Sequence, residues 1–195
     1  REAAEMGRLK GDLRMVRFIS RAVRTRQRPL RADLRIGHGL QWLTLSVEES
    51  SRIVSEARRR FRTHNAARRF VEAEFYGALV ASSRGDLDPE AVRERLRGEM
   101  AVREALEWMW PVLTPAQMLN DLFGSRALIR AADRSLDEDQ VEALFRPRQV
   151  SGDDVYWTAS DAPLLDEARA ALGARPGRKE EDVVRTYGHI VVDEV

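Results

Sequence analysis

The chain has 195 residues, enough for one sizeable hydrophobic core or two small ones. Hydrophobic residues make up 43% of it and charged residues 33%, a balance that indicates a globular protein and excludes a disordered one. No apolar run approaches the ~18 residues that a membrane-spanning helix requires, so we expect no membrane partner.

Charge is distributed unevenly along the chain, although the formal net charge is only +1. Residues 1–30 carry nine Lys or Arg and three Asp or Glu, a net charge of +6. Residues 133–195 carry eight Lys or Arg and fifteen Asp or Glu, a net charge of −7. The first region is therefore suited to an acidic surface or a nucleic acid, and the second to a basic surface.

Disulfide and metal chemistry have little support in the sequence. Cysteine is absent, which excludes disulfide bonds and thiolate metal sites and favours a reducing, cytoplasmic location. The three histidines, His38, His64 and His189, lie far apart, and none has another histidine at the i+3 or i+4 spacing of metal ligands. We therefore predict that they are surface or packing residues.

Between Leu9 and Val23 apolar residues recur at helical spacing, which predicts one long helix with a single buried stripe. Arginines occupy its other face, at positions 14, 17, 21 and 24. Proline cannot continue a helix, so we expect this one to end before Pro29. The apolar stripe recurs every three or four residues at Leu9, Leu13, Val16, Ile19 and Val23.

The remaining pattern is helical, apart from one hairpin. The turn-prone residues 37–39 predict a β-hairpin between strands 34–36 and 42–45. A glutamate three residues after Ser46 and Ser135 predicts a capping box at each, and Gly173 is predicted to end the last helix. The predicted N-caps are Ser46, Asn65, Asp88, Thr114, Ser135 and either Thr158 or Ser160. The fold class is therefore mainly α: an irregular multi-helix domain with a small β-hairpin.

The sequence ends in a short apolar strand followed by two acids. Residues 190–192 are apolar on both faces, as in a central strand of a parallel sheet, and Asp193 and Glu194 follow. In a P-loop NTPase the first such carboxylate holds Mg²⁺ and the second polarises the attacking water. A buried strand ending in solvated acids fits the pattern equally well. No G-x-x-x-x-G-K-[S/T] phosphate loop occurs in the chain, so we expect this piece to be unable to hydrolyse ATP by itself.

Several segments carry a family resemblance. The segment TYGHIVVDEV (186–195) resembles the Walker B strand of UvrD-like superfamily 1 DNA helicases. More narrowly, the chain resembles HelD-like proteins, helicase-like ATPases that bind RNA polymerase and release it from stalled or inhibited nucleic-acid complexes. This second resemblance rests on four segments in order: LKGDLRM (9–15), RQRPL (26–30), WPVLTPAQMLNDLFGS (110–125) and YWTASDAPLLDEA (156–168).

The resemblance implies a domain organisation. Residues 1–173 would be a helical insertion that opens the polymerase clamp in the primary channel, and 174–185 a linker. Residues 186–195 would be the returning Walker B strand of an incomplete RecA-like α/β domain, whose phosphate loop would precede Arg1 in a longer parent. Residues 161–166 resemble a stretch that precedes Walker B in related helicases, and they are expected to pack on the RecA-like core.

The resemblance also implies cofactors, partners and site residues. ATP and Mg²⁺ would be cofactors of the parent, with Asp193 as the Mg²⁺ ligand and Asp193 and Glu194 as the catalytic pair. The partners would be core RNA polymerase and the remainder of the chain's own RecA-like domains. Asp153 and Asp154 would form an acidic tip that binds the partner near its catalytic Mg²⁺ or imitates nucleic-acid phosphate. An ordinary solvated turn is the alternative.

Three other sets of residues are rival candidates. The acids 137–139 could form the acidic tip, but acids in the first turn of a helix are also explained by its dipole. The arginines at 58–60, 62, 68 and 69 are candidates for DNA contact, although a solvated helix face explains them too. Trp108, Trp110 and Trp157 could stack on bases. We predict instead that Trp108 and Trp110 pack in the core and that Trp157 docks the last helix.

Overall fold

The computed structural model of the protein describes residues 2–177. Within this range, ten α-helices and one two-stranded antiparallel sheet confirm the mainly α fold. None of these helices has the length and apolar composition that a membrane crossing requires. The predicted strand 186–195 and most of the predicted linker lie outside the described residues. The elements are α1 (Glu2–Gly11), α2 (Arg14–Arg24), β1 (Leu34–His38), β2 (Gln41–Leu45), α3 (Val47–Arg60), α4 (Arg68–Ala81), α5 (Pro89–Leu96), α6 (Met100–Met109), α7 (Pro115–Phe123), α8 (Arg126–Ala132), α9 (Glu138–Leu144) and α10 (Ala162–Leu172).

The predicted long N-terminal helix is two helices with a different buried face. α1 ends at Gly11, and the Asp12 carboxylate accepts a hydrogen bond from Arg14 N at 2.8 Å where α2 begins. The predicted stripe residues Leu13 and Val16 are 86% and 42% exposed. The other three stripe residues, Leu9, Ile19 and Val23, are buried as predicted. Leu13 and Val16 are not, because the register of α2 that buries the ring of Phe18 completely removes more apolar surface from water. The buried face of α2 consists of Met15, Phe18, Ile19, Ala22 and Val23.

The buried apolar side chains form two cores. The first core lies among α1, α2 and α7–α10, where the rings of Phe18 and Phe123 stack with centroids 6.4 Å apart. The second core lies between the hairpin and α3–α6. Because the first core takes helices from both ends of the described chain, residues 30–110 form an excursion between α2 and α7.

The hairpin is longer than predicted, by two residues in β1 and one residue in β2. Strand pairing runs from Leu34 opposite Leu45 to His38 opposite Gln41, which leaves Gly39 and Leu40 as a two-residue turn. Gly39 has φ +60°, and glycine at the first turn position with a positive φ is the signature of a type II′ turn. Ile36, Leu43 and Leu45 face the second core.

Most of the predicted helix caps are confirmed. Ser46 Oγ accepts a bond from Glu49 N at 3.1 Å, but the predicted capping box is incomplete because the Glu49 carboxylate binds Arg52 instead. Asp88 accepts bonds from the first amides of α5. Thr114 and Gln117 form a full capping box at the start of α7, and Thr158 forms one with Asp161 before α10. Gly173 ends α10 with φ +69°, as predicted.

Two predicted caps are wrong. α9 is capped by Asp137 in a capping box with Gln140, while Ser135 donates its hydroxyl to Asp133 at 2.8 Å. Aspartate two residues later outcompetes the serine because its carboxylate also favours the positive end of the helix dipole. Asn65 caps no helix: it is buried, and it bonds the backbone of Leu113 and Gly173 far along the chain.

Candidate partner-binding loop

Asp153 and Asp154 lie in a short 3₁₀ turn, Gly152–Asp154, within the predicted loop 146–156. Both aspartates are exposed, whereas Gly152 and Val155 on either side of them are buried. The hydroxyl of Ser151 accepts a bond from Asp153 N at 3.2 Å and fixes the start of the turn. The structure therefore presents the two carboxylates on a defined turn whose ends are anchored.

The turn is seated on the beginning of α7. A Cβ added at Gly152 would lie 2.6 Å from Gln117 N and 2.8 Å from the carbonyl carbon of Ala116, so only glycine fits at this contact. Further back along the loop, Asn120 Nδ2 donates to Gln149 O at 2.9 Å, and Gln149 N donates to Asn120 Oδ1 at 2.9 Å. The loop is thus clamped to α7 at two points before the aspartates.

A buried ion-pair network centred on Asp161 connects the two ends of the loop, through Arg146 at its start and Thr158 just after its end. This carboxylate has no exposed surface, and it accepts bonds from Lys10 Nζ at 2.7 Å and Arg146 Nη2 at 2.7 Å. Thr158 N donates to its other oxygen at 3.0 Å. Burial alone would raise the pKa of Asp161, but the bonds from Arg146, Lys10 and Thr158 together hold it well below its ordinary value. The network therefore joins α1, the start of the loop and the start of α10.

Residues 161–166, which the resemblance expects to pack on a RecA-like core, pack on one side against the first core of the described chain. Asp161 and Leu164 are fully buried against the chain's own helices. Ala162, Pro163 and Asp166 are exposed. The segment therefore serves the first core, and only its outer face is free for contact with another domain.

The surface around the two aspartates mixes charge with apolar groups. Val150 is fully exposed, and the side chain of Tyr156 is 87% exposed. Tyrosine is enriched in protein interfaces because its ring is apolar and its hydroxyl is polar. Two carboxylates between an exposed valine and an exposed tyrosine fit a basic protein surface with apolar pockets better than they fit nucleic acid, whose phosphates would repel them.

A cleft of about 550 Å³ adjoins the turn, between the start of α7 and α10. Asp153, Trp157 and Arg169 line it, together with the N-terminal residues of α7. Arg169 is already bonded to Asp166 at 2.6 Å. Across the described part of the chain, no three His, Asp or Glu side chains come together as a metal site would require.

Two of the three acids in the rival segment 137–139 stabilise local structure. Asp137 caps α9, and Glu138 accepts bonds from Arg130 Nη2 at 2.6 and 2.8 Å. Of these three acids only Asp139 is left for an external partner, so the turn at 152–154 is the better candidate for the acidic tip.

The candidate DNA-binding arginines do not form one free surface. Arg58 donates to the side chain and the carbonyl of Gln27, and Arg68 donates to Leu106 O at 3.1 Å. Arg59 and Arg60 are both bonded to Glu56 at the end of α3. Of these six arginines, Arg62 and Arg69 are exposed and make no such bonds in the part of the chain that the structure describes. Most of the set is therefore explained by local structure.

The predicted tryptophan roles are confirmed in the main. Trp110 is buried and stacks on His64 with centroids 5.1 Å apart, and Trp157 packs against the first core beside α10. Trp108 packs at the edge of the second core, with the guanidinium carbons of Arg28 and Arg31 at 3.7 and 3.6 Å from its ring centroid. The most exposed tryptophan within residues 2–177 is Trp42 of the hairpin, at 61%, which the sequence did not single out because strand alternation leaves either face open.

Asp193 and Glu194, the predicted residues for Mg²⁺ and ATP chemistry, lie outside the described residues. A comparison with protein-family models and a comparison with curated proteins found no match for this chain.

Proposed function

We propose that this chain is part of a HelD-like helicase-family ATPase, where it binds core RNA polymerase in the cytoplasm and helps to release that enzyme from nucleic acid. The observation that carries the proposal is the anchored presentation of Asp153 and Asp154 on an otherwise buried turn. A solvated turn would not need a glycine fitted against α7 and an asparagine clamp on the same loop. Two fixed carboxylates beside an exposed tyrosine suit insertion into a basic channel.

The mainly helical architecture also supports this proposal, because the resemblance implies a helical insertion between the two halves of an ATP site. In this proposal ATP hydrolysis belongs to the parent, where Asp193 would hold Mg²⁺ and Glu194 would activate water. The described helices would act on the polymerase mechanically and would take no part in the chemistry.

A second candidate function is a nucleic-acid-contacting insertion of a DNA-translocating superfamily 1 helicase. The exposed Arg62 and Arg69 favour it, since neither has an ion-pair partner within residues 2–177. This alternative predicts tight, salt-sensitive binding to duplex DNA and no binding to polymerase.

A co-purification experiment separates the two functions. The 195-residue chain is immobilised and incubated with core RNA polymerase or with duplex DNA, each at two salt concentrations. The proposal predicts retention of polymerase. Retention of DNA without polymerase would favour the second candidate, and retention of neither would overturn both.

A further inference from the structure

The exposed face of α2 and the α8–α9 connection form a groove of about 640 Å³. We define the arginine groove as Arg14, Arg17, Arg21 and Arg134, with residues 131–133 and Ser135 completing its lining. Arg14, Arg17 and Arg21 are spaced at i, i+3 and i+7, so their side chains share one helix face over about 10 Å. Four guanidinium groups and one carboxylate give the lining a net charge of +3.

The charges in this groove are poorly neutralised. The closest acid contacts of Arg14 and Arg21 are long, at 3.7 Å to Asp12 and 3.8 Å to Asp133. Within the part of the chain that the structure describes, Arg17 and Arg134 make no ion pair, and the buried Nε of Arg14 has no hydrogen-bond partner. Arg17 and Arg134 therefore keep their guanidinium donors available, whereas the unpaired Nε of Arg14 is buried and only its terminal nitrogens could reach a ligand.

The one acid in the lining, Asp133, compensates for them only in part, through its attraction to Arg21 and Arg14. Asp133 accepts bonds from Ser135 N at 3.0 Å and from Ser135 Oγ at 2.8 Å. The bond from Ser135 N is the largest of the contacts that hold the pKa of Asp133 below its ordinary value. The carboxylate thus serves the turn before α9, and its long contact with Arg21 leaves that guanidinium free to bind another anion.

Two arginines beside the groove, Arg126 and Arg130, are neutralised by acids, in contrast to those that line it. On α8, Arg130 donates to both oxygens of Glu138, at 2.6 and 2.8 Å, and Arg126 binds Glu142 through two nitrogens. Both α8 arginines are thus paired with an acid, Arg126 bidentately through two nitrogens and Arg130 through one nitrogen shared between two oxygens. The groove arginines therefore differ from these two neighbours, although unpaired arginines also occur elsewhere in the described part of the chain, as at Arg62 and Arg69.

We propose that the arginine groove binds the phosphate backbone of a single nucleic-acid strand. Guanidinium donors match phosphate oxygens bidentately, and a concave groove admits one strand more easily than the convex surface of a duplex. An acidic protein segment fits less well, because the lining offers two alanines as its apolar surface and no aromatic anchor. The proposal does not rest on polymerase binding and holds for either function above.

The test is fluorescence anisotropy with labelled single-stranded DNA and RNA oligonucleotides over a salt series. Three bound phosphates predict a slope of log affinity against log salt of about −2. The double variant Arg17→Gln/Arg134→Gln should weaken binding at least tenfold and reduce that slope by about 1.4. The matched control Arg126→Gln/Arg130→Gln removes the same charge from paired arginines and should change the affinity less than twofold.

Three outcomes would overturn the proposal: no oligonucleotide binding by the unaltered chain at low salt, an equal loss in the control, or equally tight groove-dependent binding of an oligoglutamate peptide. The last outcome would assign the groove to an acidic protein. Tighter binding to DNA or to RNA identifies the strand, and tighter binding to a duplex would contradict the single-strand geometry. The same variants in the polymerase co-purification separate failure of this proposal from failure of the proposed function.

Discussion

The side chain of Asn65 and the backbone of Leu113 are connected by a reciprocal pair of hydrogen bonds. Asn65 Nδ2 donates to Leu113 O at 3.0 Å, and Leu113 N donates to Asn65 Oδ1 at 3.1 Å. The same amide also donates to Gly173 O at 3.0 Å. Because Asn65 lies between α3 and α4 and Leu113 lies just before α7, this buried residue ties the second core to the first.

The first prediction concerns this connection. Asn65→Ala leaves the buried N–H and carbonyl of Leu113 and the half-buried carbonyl of Gly173 without their partner, and each buried loss costs about 1–3 kcal/mol. We expect the free energy of unfolding to fall by about 3 kcal/mol in urea denaturation. The exposed Ser51→Ala on α3 is the control and should stay within about 0.5 kcal/mol of the unaltered chain. A loss below about 1 kcal/mol for Asn65→Ala would show that the junction is dispensable.

The second prediction concerns Asn120, the only other asparagine in the sequence. Its side chain donates a hydrogen bond to Gln149 O and accepts one from Gln149 N, as Asn65 does with Leu113, but Gln149 lies in a surface loop. Asn120→Ala should therefore speed amide hydrogen exchange in residues 148–156 while exchange in α3 and α4 stays unchanged. Unchanged exchange in the loop would contradict the clamp that orients Asp153 and Asp154.

The third prediction is a pH dependence set by His64. Burial lowers the pKa of His64 from 6.5 to about 4, against the raising effect of its bond to Pro111 O. The unfolded chain therefore binds a proton more readily. The stability that depends on a neutral His64 is fully present above pH 6.5. It is lost as the pH falls towards 4, which lowers the free energy of unfolding by up to about 3 kcal/mol.

The hydrogen bonds of His64 explain why its neutral form is required. Its Nε2 lies 2.6 Å from Pro111 O, which can only accept, so Nε2 carries the hydrogen. Nδ1 is then free to accept from Gln27 Nε2 at 3.3 Å. The free energy of unfolding in urea should be lower at about pH 5 than at about pH 7 in the unaltered chain. This difference between the two pH values should shrink in His64→Gln and persist in His38→Gln. Equal differences in all three proteins would refute this role.

The fourth prediction separates the members of the buried network. Asp161→Asn leaves Lys10 and Arg146 without their counter-charge, and breaking a buried ion pair in this way costs about 3–5 kcal/mol. Lys10→Met keeps Arg146 on the carboxylate and should cost less. The midpoint temperature of thermal unfolding should therefore be lower for Asp161→Asn than for Lys10→Met. The reverse order would contradict the conclusion that both cations depend on Asp161.

The sequence predicted local features well because local features have local causes. Thr114 and Asp88 cap helices, and Gly173 ends one, because the neighbouring backbone alone decides whether they can. The predicted loop around Asp153 and Asp154 was also found, from its turn-prone composition.

Features that depend on distant packing could not be predicted in this way. Asn65 has the residue type of a cap, and only the approach of Leu113 and Gly173 gives it another role. The buried face of α2 is predicted only in part, at Ile19 and Val23, because stripes through Val16 and through Phe18 are both plausible helical periods until the core selects one. The seating of Gly152 on α7 likewise has no signal in local sequence.

The most direct test of the proposed function is the affinity of the 195-residue chain for core RNA polymerase, measured by biolayer interferometry. The double variant Asp153→Asn/Asp154→Asn should bind at least tenfold more weakly, about 1.4 kcal/mol, with an unchanged unfolding midpoint. The control Asp166→Asn/Glu167→Gln removes two acids from α10 and should bind within twofold of the unaltered chain. No binding by the unaltered chain, or equal binding by the loop variant, would contradict the proposal that the turn at 152–154 is the polymerase-binding tip.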